Sequence, residues 1–224
     1  MADIAMRRVT LIKSKDGMAM KDYDAHWSGP HAAIAKDLPG LIWYVQNHVL
    51  KCLIPPKGRF GDVHGIAEIS FEDPDKLFGD LTDWSRVGEL RADERVFLGD
   101  KFTFVTRVPS DLPELGQRRI IAILERSTDG SDDPDEDVLA KTVAALSAVG
   151  PAHLQMVAND ANTPVYESES RLHALIFVEL SSDTTTEILK PGGMILRQIE
   201  ALGLPLSIYL VATEAKRLPI DLPD

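Results

Sequence analysis

The stretch LPGLIWYVQNHVL, residues 38–50, decides how the first half of the chain folds. Pro39-Gly40 ends a helix, because proline lacks the amide hydrogen that the helix needs and glycine readily takes a left-handed conformation. The segment Leu41–Leu50 that follows is rich in β-branched and aromatic residues, which favours a strand. On that strand Tyr44 shares a face with Gln46 and His48. The stretch therefore predicts a helix that turns sharply into a strand.

Elements of both kinds flank this stretch in a regular order. A strand is predicted at Arg7–Ser14 and a helix over residues 20–37, with a kink or a second short helix at Gly29-Pro30. The remaining elements of this half are a strand at Asp62–Phe71, a helix from Asp73-Pro74 to about Arg91, and a strand at Lys101–Val108. The order β-α-β-β-α-β is that of the split β-α-β motif.

The second half repeats that order by pattern, with little identity. Its predicted elements are a strand at Arg118–Arg126, a helix at Val138–Val149, strands at His153–Asn159 and Leu172–Leu180, a helix over residues 185–202, and a strand at Leu206–Thr213. Each unit leaves one sheet face bare of helices and partly apolar, and packing the two bare faces together covers them. We therefore predict an α+β fold of tandem ferredoxin-like repeats packed as a barrel within one chain, with domains at residues 1–112 and 113–224.

Composition narrows the classes of partner. The net charge of −11 divides into −2 for residues 1–112 and −9 for residues 113–224, with no basic stripe, so nucleic acid is not expected as a partner. No apolar run is long enough for a membrane helix, and the single Cys52 forms no internal disulfide, so a cytoplasmic location is expected. All three tryptophans and four of the six histidines lie in the first half. This asymmetry favours the first half as the carrier of the chemistry.

Motifs of the first half carry a family resemblance. The segments YDAHW (residues 23–27), PHA (30–32), LPGL (38–41), YVQNHV (44–49), GIAEISF (65–71) and DERVF (93–97) resemble the EthD family of the dimeric α+β barrel superfamily. The match covers nearly all of residues 7–108, whereas residues 118–213 lack these motifs and are interpreted as a diverged, mainly structural copy. His31, Pro39-Gly40-Leu41 and Tyr44 are also similar to a motif of the methylmuconolactone methylisomerases.

The resemblance implies chemistry without a cofactor on a small unsaturated acid or lactone, in a pocket formed by helices and sheet. His31 is the leading catalytic candidate, since histidine exchanges protons near neutral pH, and Tyr44 is the second, as an anchor for an oxygen. Both also have structural interpretations, as a helix-end histidine and as a packed aromatic. The predicted substrate-binding residues are Tyr23, Trp27, His48, His64 and Trp84. His26 and His31 are five residues apart and do not match a chelating pair, so no metal site is predicted.

These observations predict a cofactor-independent isomerase that acts on a ring-cleavage product of bacterial aromatic catabolism, as a monomer with an intrachain barrel or as a homodimer. The alternatives are a monooxygenase, cyclase or ester hydrolase on the same fold, or a binding protein without catalytic activity. All depend on a shielded cavity beside His31. The sequence contains no nucleophile elbow, phosphate-binding loop or dinucleotide fingerprint.

Overall fold

The computed structural model of the protein describes residues 5–56, 62–73, 83–109, 112–125, 136–158, 172–181, 190 and 192–218. The strands in this part of the chain are β1 Ala5–Ser14, β2 Leu41–Ile54, β3 Gly65–Phe71, β4 Leu98–Val108, β5 Arg118–Glu125, β6 Ala152–Val157, β7 Leu172–Leu180 and β8 Leu206–Arg217. The helical segments are α1 Met20–His26, a π-helical turn Trp27–His31, α2 Ala32–Ala35, α3 Val87–Phe97, α4 Glu136–Ser147 and α5 Met194–Ala201.

The eight strands form one closed antiparallel barrel in the order β1-β3-β2-β8-β5-β7-β6-β4. Two seams join the halves. The seam between β2 and β8 is long and runs from Tyr44↔Arg217 to Ile54↔Ile208. The seam between β4 and β6 is short, pairing Arg107 with Met156, and beside it the Thr106 hydroxyl donates a hydrogen bond of 2.8 Å to Gln155. The predicted α+β barrel within one chain is confirmed.

Alternation along the strands separates a barrel interior from a helix-facing surface. On β1, Val9 and Leu11 point into the interior, whereas Thr10 and Ile12 face the helices. The interior apolar cluster includes Val9, Leu11, Ile66, Phe104, Ile121, Ile123, Leu175, Phe177, Tyr209 and Val211. The faces that each half leaves bare are therefore covered by each other, as predicted.

A charged network crosses the same interior. Glu68 is fully buried and forms ion pairs with Arg7 at 2.6 Å and with Arg119 at 2.5 Å, and Arg119 continues to Glu179 at 2.7 Å. Burial alone raises the pKa of Glu68, but the two guanidinium groups and an amide hydrogen bond from Asn47 outweigh it and lower this pKa to about 2. The network thus ties strands of the first half to strands of the second.

Several element boundaries differ from the prediction. Strand β2 continues past Leu50 to Ile54 because its end pairs with β8, and β3 begins at Gly65 rather than Asp62. Helix α3 runs on to Phe97 instead of ending near Arg91, and its predicted beginning, residues 74–82, lies outside the described residues. The predicted helix over residues 185–202 is α5, Met194–Ala201, and residues 182–189 also lie outside the described residues.

The helices of the two halves pack differently on the barrel. In the second half, α4 and α5 close directly over an apolar cluster that includes Leu146, Ile199, Ile176 and Val178. In the first half, the helices leave a cavity above the sheet. A membrane crossing needs a longer and more apolar helix than any in the described ranges.

Candidate active site

The cavity has a volume of about 460 Å³ and lies between the helices of the first half and the helix-facing side of its sheet. Its lining residues on the sheet are Arg8, Thr10, Ile12, Tyr44, Ala67, Ile69, Leu98, Lys101 and Thr103. Those on and after the helical segments are Trp27, His31, Ala35, Leu38, Val87, Leu90, Arg91, Glu94 and Phe97. The cavity adjoins His31 and lies between the helices and the sheet, partly open to solvent, whereas the barrel interior is filled with side chains.

A π-helical turn at Trp27–His31 positions the imidazole of His31. Pro30 lies inside this turn and has no amide hydrogen to donate to the carbonyl of His26, so the regular α-helical bond cannot form there. The chain stays helical by widening the turn, and the short helix α2 follows directly, so Pro30 lies in the widened turn and not in the first turn of the second helix as predicted. A π-helical turn brings residues five apart closer to one face than an α-helix does, and His26 and His31 have that spacing.

Side chains from the sheet stabilise the widened turn. The buried Gln46 side chain donates to the carbonyl of Trp27 at 2.9 Å and to the hydroxyl of Tyr44 at 2.6 Å. The Lys216 ammonium donates to the carbonyl of Ser28 at 2.8 Å. Carbonyls that lose their regular helical partner thereby keep a hydrogen bond. Since Lys216 is on β8, the second half helps to hold the turn that carries His31.

Two aromatic rings anchor the turn against the sheet. Tyr23 and Trp27 are both fully buried, with ring centroids 5.7 Å apart. Both rings lie over Gly65 on β3, where a Cβ atom placed on the glycine would stand 2.5 Å from each of them. The absence of a side chain at Gly65 therefore allows the rings to approach the strand closely.

His31 is held by a carboxylate on the opposite helix. Its Nδ1 lies 2.8 Å from Oδ2 of Asp93 on α3, and the other oxygen of Asp93 lies 2.7 Å from Nε2 of His26. Because an ionised carboxylate only accepts hydrogen bonds, Nδ1 of His31 carries the hydrogen and donates it. Burial lowers the pKa of His31, and the hydrogen bond to Asp93 opposes that effect. His31 lines the cavity, and the lowered pKa favours its neutral form, in which Nε2 carries the lone pair.

Tyr44 supplies a hydroxyl group to the same cavity. It is 2% exposed, and burial raises its pKa above the usual value. The phenol therefore stays protonated. Its oxygen already accepts the hydrogen bond from Gln46, so its own hydrogen is the one suited to an oxygen atom of a bound molecule.

The lining combines charged groups with aromatic surface. Arg8, Arg91 and Lys101 bring positive charge, and Glu94 forms an ion pair with Lys101 at 2.8 Å. The formal charge of the lining is positive when His31 is neutral. Trp27 and Phe97 provide aromatic surface. This combination suits an anion with an apolar, conjugated body.

The structure places the predicted site residues in two groups. Trp27, His31 and Tyr44 line the cavity, and Tyr23 supports Trp27 from behind. The other three, His48, His64 and Trp84, are not among its lining residues.

Each of these three residues has contacts elsewhere. The His48 ring lies 4.6 Å from the Trp27 ring in a tilted arrangement, and its Nδ1 lies 2.9 Å from Asp24. Nδ1 of His64 accepts a hydrogen bond of 3.0 Å from the backbone amide of Ser14, and burial lowers the pKa of His64. Trp84 packs against the apolar cluster beneath the helices.

Sequence reasoning missed Asp93. Its segment DERVF belongs to the family resemblance, but a lone aspartate on a charged helix face gives no local sign of a partner. The signal was the spacing of His26 and His31, which indicates a shared face only if the helix between them is a π-helix. Among the described residues, no three histidine, cysteine or acidic side chains converge in the manner of a metal site.

Fold and cavity together define the class, an α+β barrel of the dimeric type built here within one chain. A candidate monooxygenase from Fusobacterium nucleatum aligns with a TM-score of 0.55 and 8% identity, over 97% of this chain and 96% of that one. An anthrone oxidase-like protein aligns with a TM-score of 0.52 and 10% identity, over 97% and 96%. At these identities the two structures show a shared fold.

The sequence of the first half gives the family similarity. Residues 15–101 match the family model of the EthD domain, and the matched range includes Trp27, His31, Tyr44 and Asp93. The predicted resemblance to the EthD family is confirmed over this range. Comparison with curated protein sequences found no match, and the similarity to methylmuconolactone methylisomerases stays a prediction.

Proposed function

We propose that the protein is a cofactor-independent isomerase that moves a proton within a small unsaturated carboxylic acid or lactone. The observation that carries the proposal is the 2.8 Å hydrogen bond between Nδ1 of His31 and Asp93, which leaves Nε2 as a base at the cavity. The match to the EthD domain over residues 15–101 supports an enzyme on this fold.

The first step is removal of a proton from carbon. Nε2 of His31 takes a proton from the sp³ carbon between the carbonyl and the double bond of a β,γ-unsaturated acid or lactone, and the electron pair moves into the π-system as a dienolate. Asp93 stabilises the imidazolium that forms, because its carboxylate lies on the opposite side of the ring. Returning the same proton to a different carbon completes the isomerisation, so atoms and electrons balance within the substrate.

The second requirement is stabilisation of the enolate oxygen. The Tyr44 hydroxyl is protonated and fixed by the Gln46 amide, so it can donate to that oxygen without reorganisation. Removing one such donor from an enzyme typically costs about 10²–10³ in kcat. Tyr44 is therefore the oxygen anchor of the proposal.

The lining supports an anionic, planar substrate. A carboxylate is attracted by the positive charge that Arg8, Arg91 and Lys101 bring to the lining, and a conjugated chain or ring packs against Trp27 and Phe97. Ring-cleavage products of aromatic compounds combine these two features.

The test is a panel of unsaturated acids and lactones, incubated with the protein in ordinary and in deuterated water and analysed by mass spectrometry. We expect a product of unchanged mass in ordinary water and partial deuterium uptake in heavy water. His31→Gln and Asp93→Asn should each lower turnover at least about 100-fold at an unchanged melting temperature. The matched control His64→Gln, which alters an imidazole away from the cavity lining, should keep turnover.

Each contrary outcome has a distinct meaning. A product heavier by one oxygen atom, formed only in air, makes the protein a monooxygenase and overturns the isomerase. Binding without any product across the panel favours a non-catalytic role. Full turnover by a folded His31→Gln variant removes His31 from the mechanism.

A further inference from the structure

One carboxylate serves two imidazoles beside the cavity. Oδ2 of Asp93 lies 2.8 Å from Nδ1 of His31, and Oδ1 lies 2.7 Å from Nε2 of His26. The side chains of His31 and Asp93 are each 11% exposed, whereas that of His26 is 20% exposed. His31, Asp93 and His26 therefore form a hydrogen-bonded chain that leads from the cavity to an imidazole with more exposure to solvent.

The packing fixes all three groups in place. The Phe97 ring lies 5.0 Å from the ring of His26 and 4.9 Å from that of His31, so it packs against both imidazoles. His26 and His31 are five residues apart, and the π-helical turn between them brings both rings to one carboxylate. Both oxygens of Asp93 are thus committed, one to each imidazole.

We propose that His26 is a positioning residue that orients Asp93 for His31 and, whenever His26 carries a proton, opposes the addition of a second proton to His31. A single negative charge cannot fully compensate two imidazolium ions at this separation. The arrangement keeps His31 neutral, and its Nε2 lone pair available, over a wider range of pH than a simple histidine and aspartate pair. The use of that lone pair in catalysis rests on the proposed function; the coupling itself does not.

Other charged groups near His31 also affect how readily it is protonated. Asp93 and Glu94 on α3 favour its protonated form, and His26 on α1 disfavours it. Arg8 on β1, Lys101 on β4 and Arg91 on α3 line the same cavity and contribute positive charge. None of these groups changes when His26 alone is substituted.

The experiment is an NMR titration of the His31 imidazole, followed through its Cε1–H signal in the full chain without substrate. His26→Gln keeps a hydrogen-bond donor for Asp93 but removes the ionisable ring. We expect the pKa of His31 to rise by about one pH unit in His26→Gln, because a competing positive charge is lost. His64→Gln is the control with an imidazole removed elsewhere, and it should leave the His31 titration unchanged.

A second pair of variants separates charge from packing. In Asp93→Asn the shared negative charge is absent, so the pKa of His31 should fall. The His26→Gln substitution should then change the pKa of His31 less in the Asp93→Asn protein than it does in the wild type. Melting temperatures identify variants that fail to fold, and the Gln and Asn variants are chosen because they preserve size. An unchanged His31 titration in folded His26→Gln overturns the proposal. If the titrations give the expected shifts but the wild-type protein isomerises no compound of the panel, the proposed function is overturned and the coupling of His26 to His31 stands.

Discussion

Replacing Gly65 by alanine tests the packing on which the site depends. The added Cβ atom would stand 2.5 Å from ring atom Cζ3 of Trp27 and 2.5 Å from the hydroxyl oxygen of Tyr23. Ordinary carbon contacts are about 3.5–4.0 Å, so the rings must move by about 1 Å. Both rings are fully buried, and Trp27 begins the π-helical turn, so this movement strains the part of the chain that carries His31.

The expected cost follows from over-packing of a filled core. Extra methyl groups in such places typically destabilise by about 1–3 kcal/mol. Alanine also reduces the conformational entropy of the unfolded chain, which stabilises the folded protein by at most about 1 kcal/mol. A net loss of stability is therefore expected. Gly88→Ala is the matched control, because a Cβ at this position in α3 meets nothing within 4 Å. The same chemical change should stabilise there by about 0.4–1 kcal/mol.

The measurement is the free energy of unfolding of both variants by urea titration, with near-ultraviolet circular dichroism as a report on the tryptophan environment. We expect opposite signs for the two variants, and an altered aromatic signal for Gly65→Ala alone. Equal free energies for the two variants would falsify the close approach of Trp27 and Tyr23 to β3.

Further predictions concern buried polar groups, all measured by urea unfolding. Gln46→Leu should destabilise by about 1–3 kcal/mol, because it removes the buried hydrogen bonds that the Gln46 amide donates to the Trp27 carbonyl and the Tyr44 hydroxyl; an unchanged stability would refute that role. Glu68→Gln should cost about 3–5 kcal/mol, whereas the exposed Glu89→Gln should leave the free energy of unfolding unchanged within error. Since the pKa of Glu68 is lowered from 4.5 to about 2 in the folded protein, its contribution is complete above pH 4.5 and is lost as the pH falls towards 2. Burial lowers the pKa of His153 from 6.5 to about 4, so the unfolded chain binds the extra proton and stability falls between pH 6.5 and pH 4; His153→Gln should flatten this slope.

Local sequence patterns predict the order of strands and helices well. Strand β7, Leu172–Leu180, has the predicted bounds, because its apolar run is buried on both faces. The end of β2 could not be predicted in the same way. Lys51 and Cys52 are exposed, and only pairing with β8 across the two halves makes them part of the strand.

The candidate site is only partly accessible to sequence reasoning. Trp27, His31 and Tyr44 follow from the family motifs, and the structure brings these three together at one cavity. Asp93 does not follow, because its role depends on α3 lying against a π-helical turn that Pro30 causes and distant side chains stabilise. Lys216 is beyond any local pattern, since it reaches Ser28 from the far end of the chain.

The apolar filling beneath α4 and α5 has a consequence for stoichiometry. A barrel assembled from two identical chains carries two equivalent pockets, whereas this chain keeps a cavity under one pair of helices and packs side chains such as Leu146 and Ile199 at the corresponding place in the other half. Within the described residues the internal symmetry is thus broken, and under the proposed function each polypeptide binds one substrate molecule. A tight-binding ligand should then saturate the protein at one equivalent, with no cooperativity within a chain.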